Sequence, residues 1–219
     1  MKDTLVIFQC CKRKNGVEQF PREDFNIESK IPRTKHILRN AIAKFSQDGI
    51  IETDTEPVTA LSQYNGYFYS VPGFRRKVAE EIRHGPSDFL IMSASYGFVH
   101  PFQKIHKYEQ RMAGRVTKYW LSIELPEVLE EFIETGKFKY IYGFFSESAD
   151  YRKVFEEISW HNLKNVSEAG YFYLTGIQGT TKILRFCSSL MLNLVQKRFQ
   201  NSPSKFNEAK VNFVKTHCK

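Results

Sequence analysis

Three short apolar runs constrain this chain more than any other feature: Thr4–Phe8 (T-L-V-I-F), Phe89–Met92 (F-L-I-M) and Tyr140–Phe145 (Y-I-Y-G-F-F). None shows the in-out alternation of a half-exposed strand, so each reads as a strand covered on both faces, as in a parallel sheet. The segments between them have helical spacing. In Thr34–Phe45 the apolar residues Ile37, Leu38, Ala41, Ile42 and Phe45 fall on one stripe. Helices are also expected over Pro72–Ile82, Arg115–Ile123, Pro126–Thr135 (with Gly136 as the stop) and Ala149–Ile158. Tyr171–Leu174 reads as a fourth strand, followed by a long helix from about Thr180 to Phe199. Alternating strands and helices give an α/β fold, a single domain with a mostly parallel central sheet flanked by helices. A chain of 219 residues buries one such core without staples. The domain is expected over residues 1–200. The break Asn201-Ser202-Pro203-Ser204 leaves 201–219 as a basic C-terminal tail.

A parallel sheet carries its site at the carboxyl ends of its strands, so the loops there hold the candidate residues. After the first run come Gln9-Cys10-Cys11-Lys12-Arg13-Lys14. Lys12 and Lys14 suit a phosphate or a developing negative charge, and equally suit a solvated face. No glycine-rich loop precedes them and no Ser/Thr follows, which disfavours nucleotide hydrolysis. Around the turn Asn65-Gly66 stand Tyr64, Tyr67 and Tyr69. Rings on a turn can stack a base, and the Asn65 amide can pair with a base edge; filling the core is the bland alternative. Ser93–Met112 reads as an irregular polar loop offering Ser93, Tyr96, Tyr108, Glu109 and Arg111. After the third run, Glu147 and Asp150 are candidate general bases, although Ser146, Ser148 and Asp150 equally suit helix capping.

Charge adds a partner class. Of the net +8, the last forty residues, from Thr180, carry +7 and the preceding 179 only +1. A basic end on a near-neutral body suggests a polyanion, with nucleic acid first. Arg75, Arg76, Lys182 and Arg185 join Lys14 and Arg111 as candidate phosphate contacts. The cysteines Cys10, Cys11, Cys187 and Cys218 form no zinc spacing, and His100 and His106 lack a third ligand, so no metal and no cofactor is expected. Free thiols, no secretory leader and no apolar stretch long enough for a bilayer point to a cytoplasmic protein without a membrane partner.

Certain boxes resemble a known family. Q-Y-N-G-Y-F-Y at 63–69, M-S-A-S-Y-G-F-V-H-P at 92–101 and K-Y-E-Q-R-M at 107–112 are similar to the peroxide-stress YaaA-like family and its relatives. The matching positions are Tyr64, Gly66, Tyr69, Ser93, Tyr96, Gly97, Pro101, Tyr108 and Met112. Lys12 and Asp150-Tyr151 fall where that family has a lysine and a Glu-Tyr pair. Lys107 replaces a proline, and Glu109-Gln110-Arg111 exchanges the charges of the family's Arg-Leu-Glu. The first loop also resembles the core domain of archaeosine synthases. These resemblances imply DNA binding and a fold distantly similar to uracil-DNA glycosylases.

The expected function is therefore a DNA-acting enzyme that flips and excises a modified or damaged base by N-glycosidic hydrolysis. Asp150 or Glu109 would be the carboxylate and Lys12 the charge stabiliser. Tyr64, Asn65, Tyr69, Ser93, Tyr96 and Tyr108 would form the base pocket. The alternatives are a non-catalytic DNA-binding protein of oxidative stress and a tRNA base-modification enzyme, with RNA as the polymer.

Overall fold

The computed structural model describes residues 2–11, 25–146, 149–200 and 203–218. The first apolar run becomes β1 (Thr4–Gln9), with every residue buried. It lies between two parallel neighbours, β3 (Ser87–Ser93) and β6 (Tyr140–Phe144). Being covered on both faces and paired on both edges is what its lack of alternation requires. Outside β6 lies β7 (Glu168–Thr175), also parallel.

Antiparallel strands close the sheet at either side. β4 (Gly97–Val99) folds back on β3, and β9 (Ala209–Cys218) pairs with β7, with β8 (Lys205–Phe206) beyond it. The seven-stranded order is β4-β3-β1-β6-β7-β9-β8. A two-stranded ribbon, β2 (Val58–Thr59) with β5 (Lys104–Ile105), stands apart from it.

Helices α3 (Phe74–His84) and α7 (Thr180–Gln196) pack on each other and on the sheet. A second group, α1 (Lys35–Gln47), α4 (Arg115–Ser122), α5 (Leu125–Gly136) and α6 (Ala149–Glu156), packs around α5. The short α2 (Ala60–Gln63) precedes the Asn65-Gly66 turn. From β1 the chain runs outward to β3 and β4, then crosses back to β6 on the other side of β1. The reversal puts a topological switch point between β1 and β6, where a crevice opens at the strands' carboxyl ends.

Two segments differ from the sequence reading. The residues expected as a basic tail contain β9, a ten-residue strand of the central sheet. Ala209, Val211 and Phe213 alternate with Lys210 and Asn212, and Phe213 lies 4.5 Å from Phe172 of β7, centroid to centroid. A period-2 apolar face between lysines pairs once β7 offers an edge. The polar loop 93–112 likewise contains two short strands, β4 and β5. Gly97 turns the chain between β3 and β4 at φ +68°, and a Cβ there would lie 2.7 Å from Leu38 Cδ2. The turn therefore needs glycine for both conformation and space.

Candidate functional site

At the switch point a cavity of about 460 Å³ opens, within the range of roughly 300–1,000 Å³ usual for small-molecule sites. Among the described residues its wall includes the end of β1 (Cys10, Cys11), the 66–68 turn (Tyr67), residues 110–113 (Arg111), Ser146 after β6, the start of α6 (Asp150, Tyr151) and the first turns of α7. Gln9, also buried, ties the two central strands together there. Its side-chain oxygen accepts the Ser146 N–H at 2.7 Å, and its carbonyl accepts the Tyr69 hydroxyl at 3.0 Å.

Asp150 lies in the first turn of α6, where a carboxylate also favours the helix N-terminus. Its Oδ1 accepts the Gly114 N–H at 3.2 Å and the Thr117 hydroxyl at 3.1 Å. Among the described residues its Oδ2 has no hydrogen-bond partner. One oxygen of Asp150 is thus held by the start of α4, and the other is open among the described residues.

Beneath this wall is a layer of hydroxyls. Tyr64 and Tyr108, both fully buried, lie 2.9 Å apart at their hydroxyls, and Ser93 Oγ is 3.1 Å from the first and 3.0 Å from the second. Ser93 Oγ also accepts the Tyr96 N–H at 3.2 Å. The Tyr151 hydroxyl is 3.2 Å from the Cys10 sulfur. Burial pushes the Tyr64, Tyr69, Tyr108 and Tyr151 phenols well above their ordinary range. They remain neutral and act as hydrogen-bond donors. Burial likewise pushes Tyr96 up to about 12.

The structure brings Tyr64, Tyr69, Ser93 and Tyr108 together, but behind the cavity wall rather than in it. Their rings pack on one another: Tyr64 and Tyr69 have centroids 5.4 Å apart. No face of Tyr64, Tyr69 or Tyr108 is open to stack a base in this arrangement, and their hydroxyls are occupied. Tyr96 is tied to the His106 backbone, whose N–H it accepts at 3.0 Å. Asn65 is exposed, beside the cavity-lining Gly66. Glu109 is exposed and outside the cavity wall. Lys12, Lys14 and Glu147 lie outside the described residues.

Of the candidate phosphate contacts, Arg111 is exposed in the cavity wall. Arg75 points inward instead, donating to the Leu61 carbonyl at 3.0 Å and the Tyr64 carbonyl at 2.7 Å. It clamps the turn, so its guanidinium is spent on structure. Arg76 lies 3.8 Å from Glu80, and Lys182 is ion-paired with Glu208. Arg185 donates to Ser70 Oγ at 3.1 Å and lies 5.7 Å from the centre of the Tyr67 ring.

Sequence reasoning left Cys10 and Cys11 without a role in the wall, took Tyr67 only as one of three rings able to stack a base, and noted Tyr151 only beside the Asp150 of the resemblance. The available signal was position alone: two thiols directly after the most apolar strand, and a tyrosine directly after the strand-end carboxylate. Among the described residues no group of three or more His, Cys, Asp or Glu side chains could hold a metal ion. No described helix is long and apolar enough to cross a membrane. No protein-family model matches the chain, and no curated protein is similar enough in sequence to lend it an identity.

Proposed function

We propose that the cavity receives a nucleobase turned out of a DNA strand, and that the protein cleaves the bond joining that base to its sugar. The observation that carries this reading is Asp150. Its carboxylate is held from one side by Gly114 and Thr117, while its second oxygen has no partner among the described residues. When the C1′–N bond breaks, its electron pair leaves with the base and the sugar acquires oxocarbenium character. A fixed carboxylate stabilises that charge and orients the water that adds to C1′, and the proton this water gives up ends on the departing base. Arg111, in the same wall, suits a phosphate of the bound strand. Of the three tyrosines expected to stack a base, the half-buried Tyr67 is the one in the cavity wall, and the stacking role falls to it. DNA as the polymer rests on the net charge and on the sequence resemblance.

The test is base release. Oligonucleotides carrying single modified or unmodified bases are incubated with the protein and treated with alkali, which breaks strands at abasic sites. Breaks at one type of base, lost in Asp150→Asn, support the reading. Tight binding with no breaks on any strand overturns it in favour of a non-catalytic binder, and activity confined to structured RNA overturns the choice of DNA.

A further inference from the structure

The cavity holds two thiols that base hydrolysis does not require. Neither Cys10 nor Cys11 is in a disulfide, and both line the cavity. Cys10 is 2 % exposed, its sulfur against the Tyr151 hydroxyl. Cys11 is half-buried, and its sulfur accepts the backbone N–H of Gly66 at 3.0 Å. The turn is pressed onto this sulfur, since a Cβ on Gly66 would lie 2.5 Å from Cys11 Cβ and 2.8 Å from its Sγ. An amide N–H aimed at a sulfur stabilises negative charge there, as oxyanion donors do for oxygen. Cys187, by contrast, is sealed in the core, and burial pushes its thiol up to about 12.

We propose that Cys11 is a nucleophile that adds to the ring of the bound base, which makes the substrate class a pyrimidine. This rests on the reading of the cavity as a nucleobase site. A pyrimidine has a C5=C6 bond conjugated to its C4 carbonyl or imine, so C6 accepts a soft nucleophile. The Cys11 sulfur forms a bond to C6, the C5=C6 π pair moves to C5, and C5 takes up the proton that the thiol gave up. The net change is addition of S–H across C5=C6, with no oxidant, reductant or further reactant. Loss of the C5 proton and departure of the sulfur reverses it. The adduct anchors the turned-out base by a bond while the sugar faces Asp150.

The probe is a 5-nitropyrimidine, whose nitro group stabilises the charge left at C5. It is supplied in one arm as the free deoxynucleoside and in the other within a single-stranded oligonucleotide. Intact-protein mass spectrometry is expected to show one adduct, mapped by peptide digestion to Cys11, with Cys187 as the internal unreactive thiol. Cys11→Ser is expected to reduce adduct formation by at least about tenfold. An adduct only in the oligonucleotide arm assigns the site to a strand, and one in both arms assigns it to the pyrimidine itself. No adduct in either arm, or an adduct that survives Cys11→Ser, overturns the proposal. If Cys11→Ser does not fold, iodoacetamide labelling of the unaltered protein decides: Cys11 must react faster than Cys187, and the probe must slow that reaction. Base release by Cys11→Ser at the unaltered rate would remove the thiol step and leave the Asp150 reading standing. An adduct without base release from any strand would do the opposite.

Discussion

The two ends of the central sheet carry buried polar clusters of opposite kinds. At the amino end, Asp88 accepts the His100 Nε2 proton at 3.1 Å and the N–H of Phe89 at 2.9 Å, with the Lys2 ammonium 3.7 Å away. His100 Nδ1 accepts the Phe102 N–H at 3.2 Å, which leaves its proton on Nε2, facing Asp88. Lys2 also donates to the Ile82 and Ser87 carbonyls, and Phe25 stacks on the imidazole at 3.6 Å. Each charge there is answered and covered. At the carboxyl end the hydroxyl layer is just as well satisfied, yet above it Asp150 Oδ2 and the Arg111 guanidinium are without partners among the described residues, in the wall of a 460 Å³ cavity. Burying polar groups stabilises a fold only when their hydrogen bonds close. The closed cluster is therefore read as structural, whereas the half-buried Asp150 and the exposed Arg111 remain open to the cavity, where the proposed ligand would meet them.

The largest effect that would test this contrast is on rate. Asp150→Asn keeps the shape of the side chain and is expected to slow base release by about a thousandfold, while thermal melting changes little. Ordinary activity in that variant would place the chemistry elsewhere. The reverse pattern is expected at the amino end. Asp88→Ala removes the carboxylate that answers the His100 N–H and the Lys2 ammonium, and is expected to destabilise the fold by about 3 kcal/mol in urea unfolding, with base release per folded molecule unchanged.

The same end sets the acid limit of stability. Burial alone would raise the Asp88 carboxyl, but the His100 and Lys2 contacts outweigh it and the net shift is downward. Glu131 behaves alike: burial opposes it, and the Arg33 and Thr34 donors bring it below its usual range. A carboxyl whose folded-state pKa lies below its unfolded value contributes stability above that unfolded value, about 4. The contribution is lost as pH falls from there through the folded pKa. The urea midpoint should therefore drop steeply below about pH 4, and Asp88→Asn should flatten the drop. An unchanged slope in that variant would mean the cluster is less tightly coupled than its geometry implies.

A smaller effect is expected where the two layers of the carboxyl end meet. Gly66→Ala would drive a methyl group against Cys11, with contacts at 2.5 and 2.8 Å. It is expected to destabilise by about 1–3 kcal/mol and to alter Cys11 labelling more than Cys187 labelling. Tyr108→Phe removes one hydroxyl from the Tyr64–Ser93–Tyr108 triangle and is expected to lower stability by about 1 kcal/mol with a lesser change in rate. A larger loss of rate than of stability in Tyr108→Phe would move that layer into the chemistry.

How much of this was legible in the sequence follows from the range of the forces involved. The parallel strands could be read because T-L-V-I-F carries its burial in its own composition. The place of Asp150 near the sheet's carboxyl edge could be read because it lies shortly after β6, in the first turn of the next helix. The tyrosines were misplaced for a reason of distance: the hydroxyl of Tyr64 is satisfied by Ser93 and Tyr108, 29 and 44 residues away. Nothing local distinguishes a phenol with such partners from one facing solvent. Strand β9 was hidden by its lysines, since Ala209, Val211 and Phe213 become a strand face only when Glu168–Thr175 pairs with them. Net charge located the basic residues but not which of them are already paired: Lys182, Arg198 and Lys215 pair with Glu208, Glu81 and Glu168.

That pairing yields the finest test of the contrast between answered and unanswered charge. A cation that meets a phosphate releases counterions, so each such contact adds about 0.9 to the slope of log binding constant against log salt on duplex DNA. Arg111, unpartnered among the described residues, should contribute a full contact, and Arg111→Ala should lower the slope by about that amount. Lys182, already paired with Glu208, must first give up that partner, so Lys182→Ala should change the slope much less. Arg185, held by Ser70 and Tyr67, should fall between the two. Fluorescence anisotropy titrations over a range of salt separate the three variants. Equal losses for Arg111 and Lys182 would mean that the strand reads the whole basic surface, and that an empty hydrogen-bonding position does not mark where DNA lies.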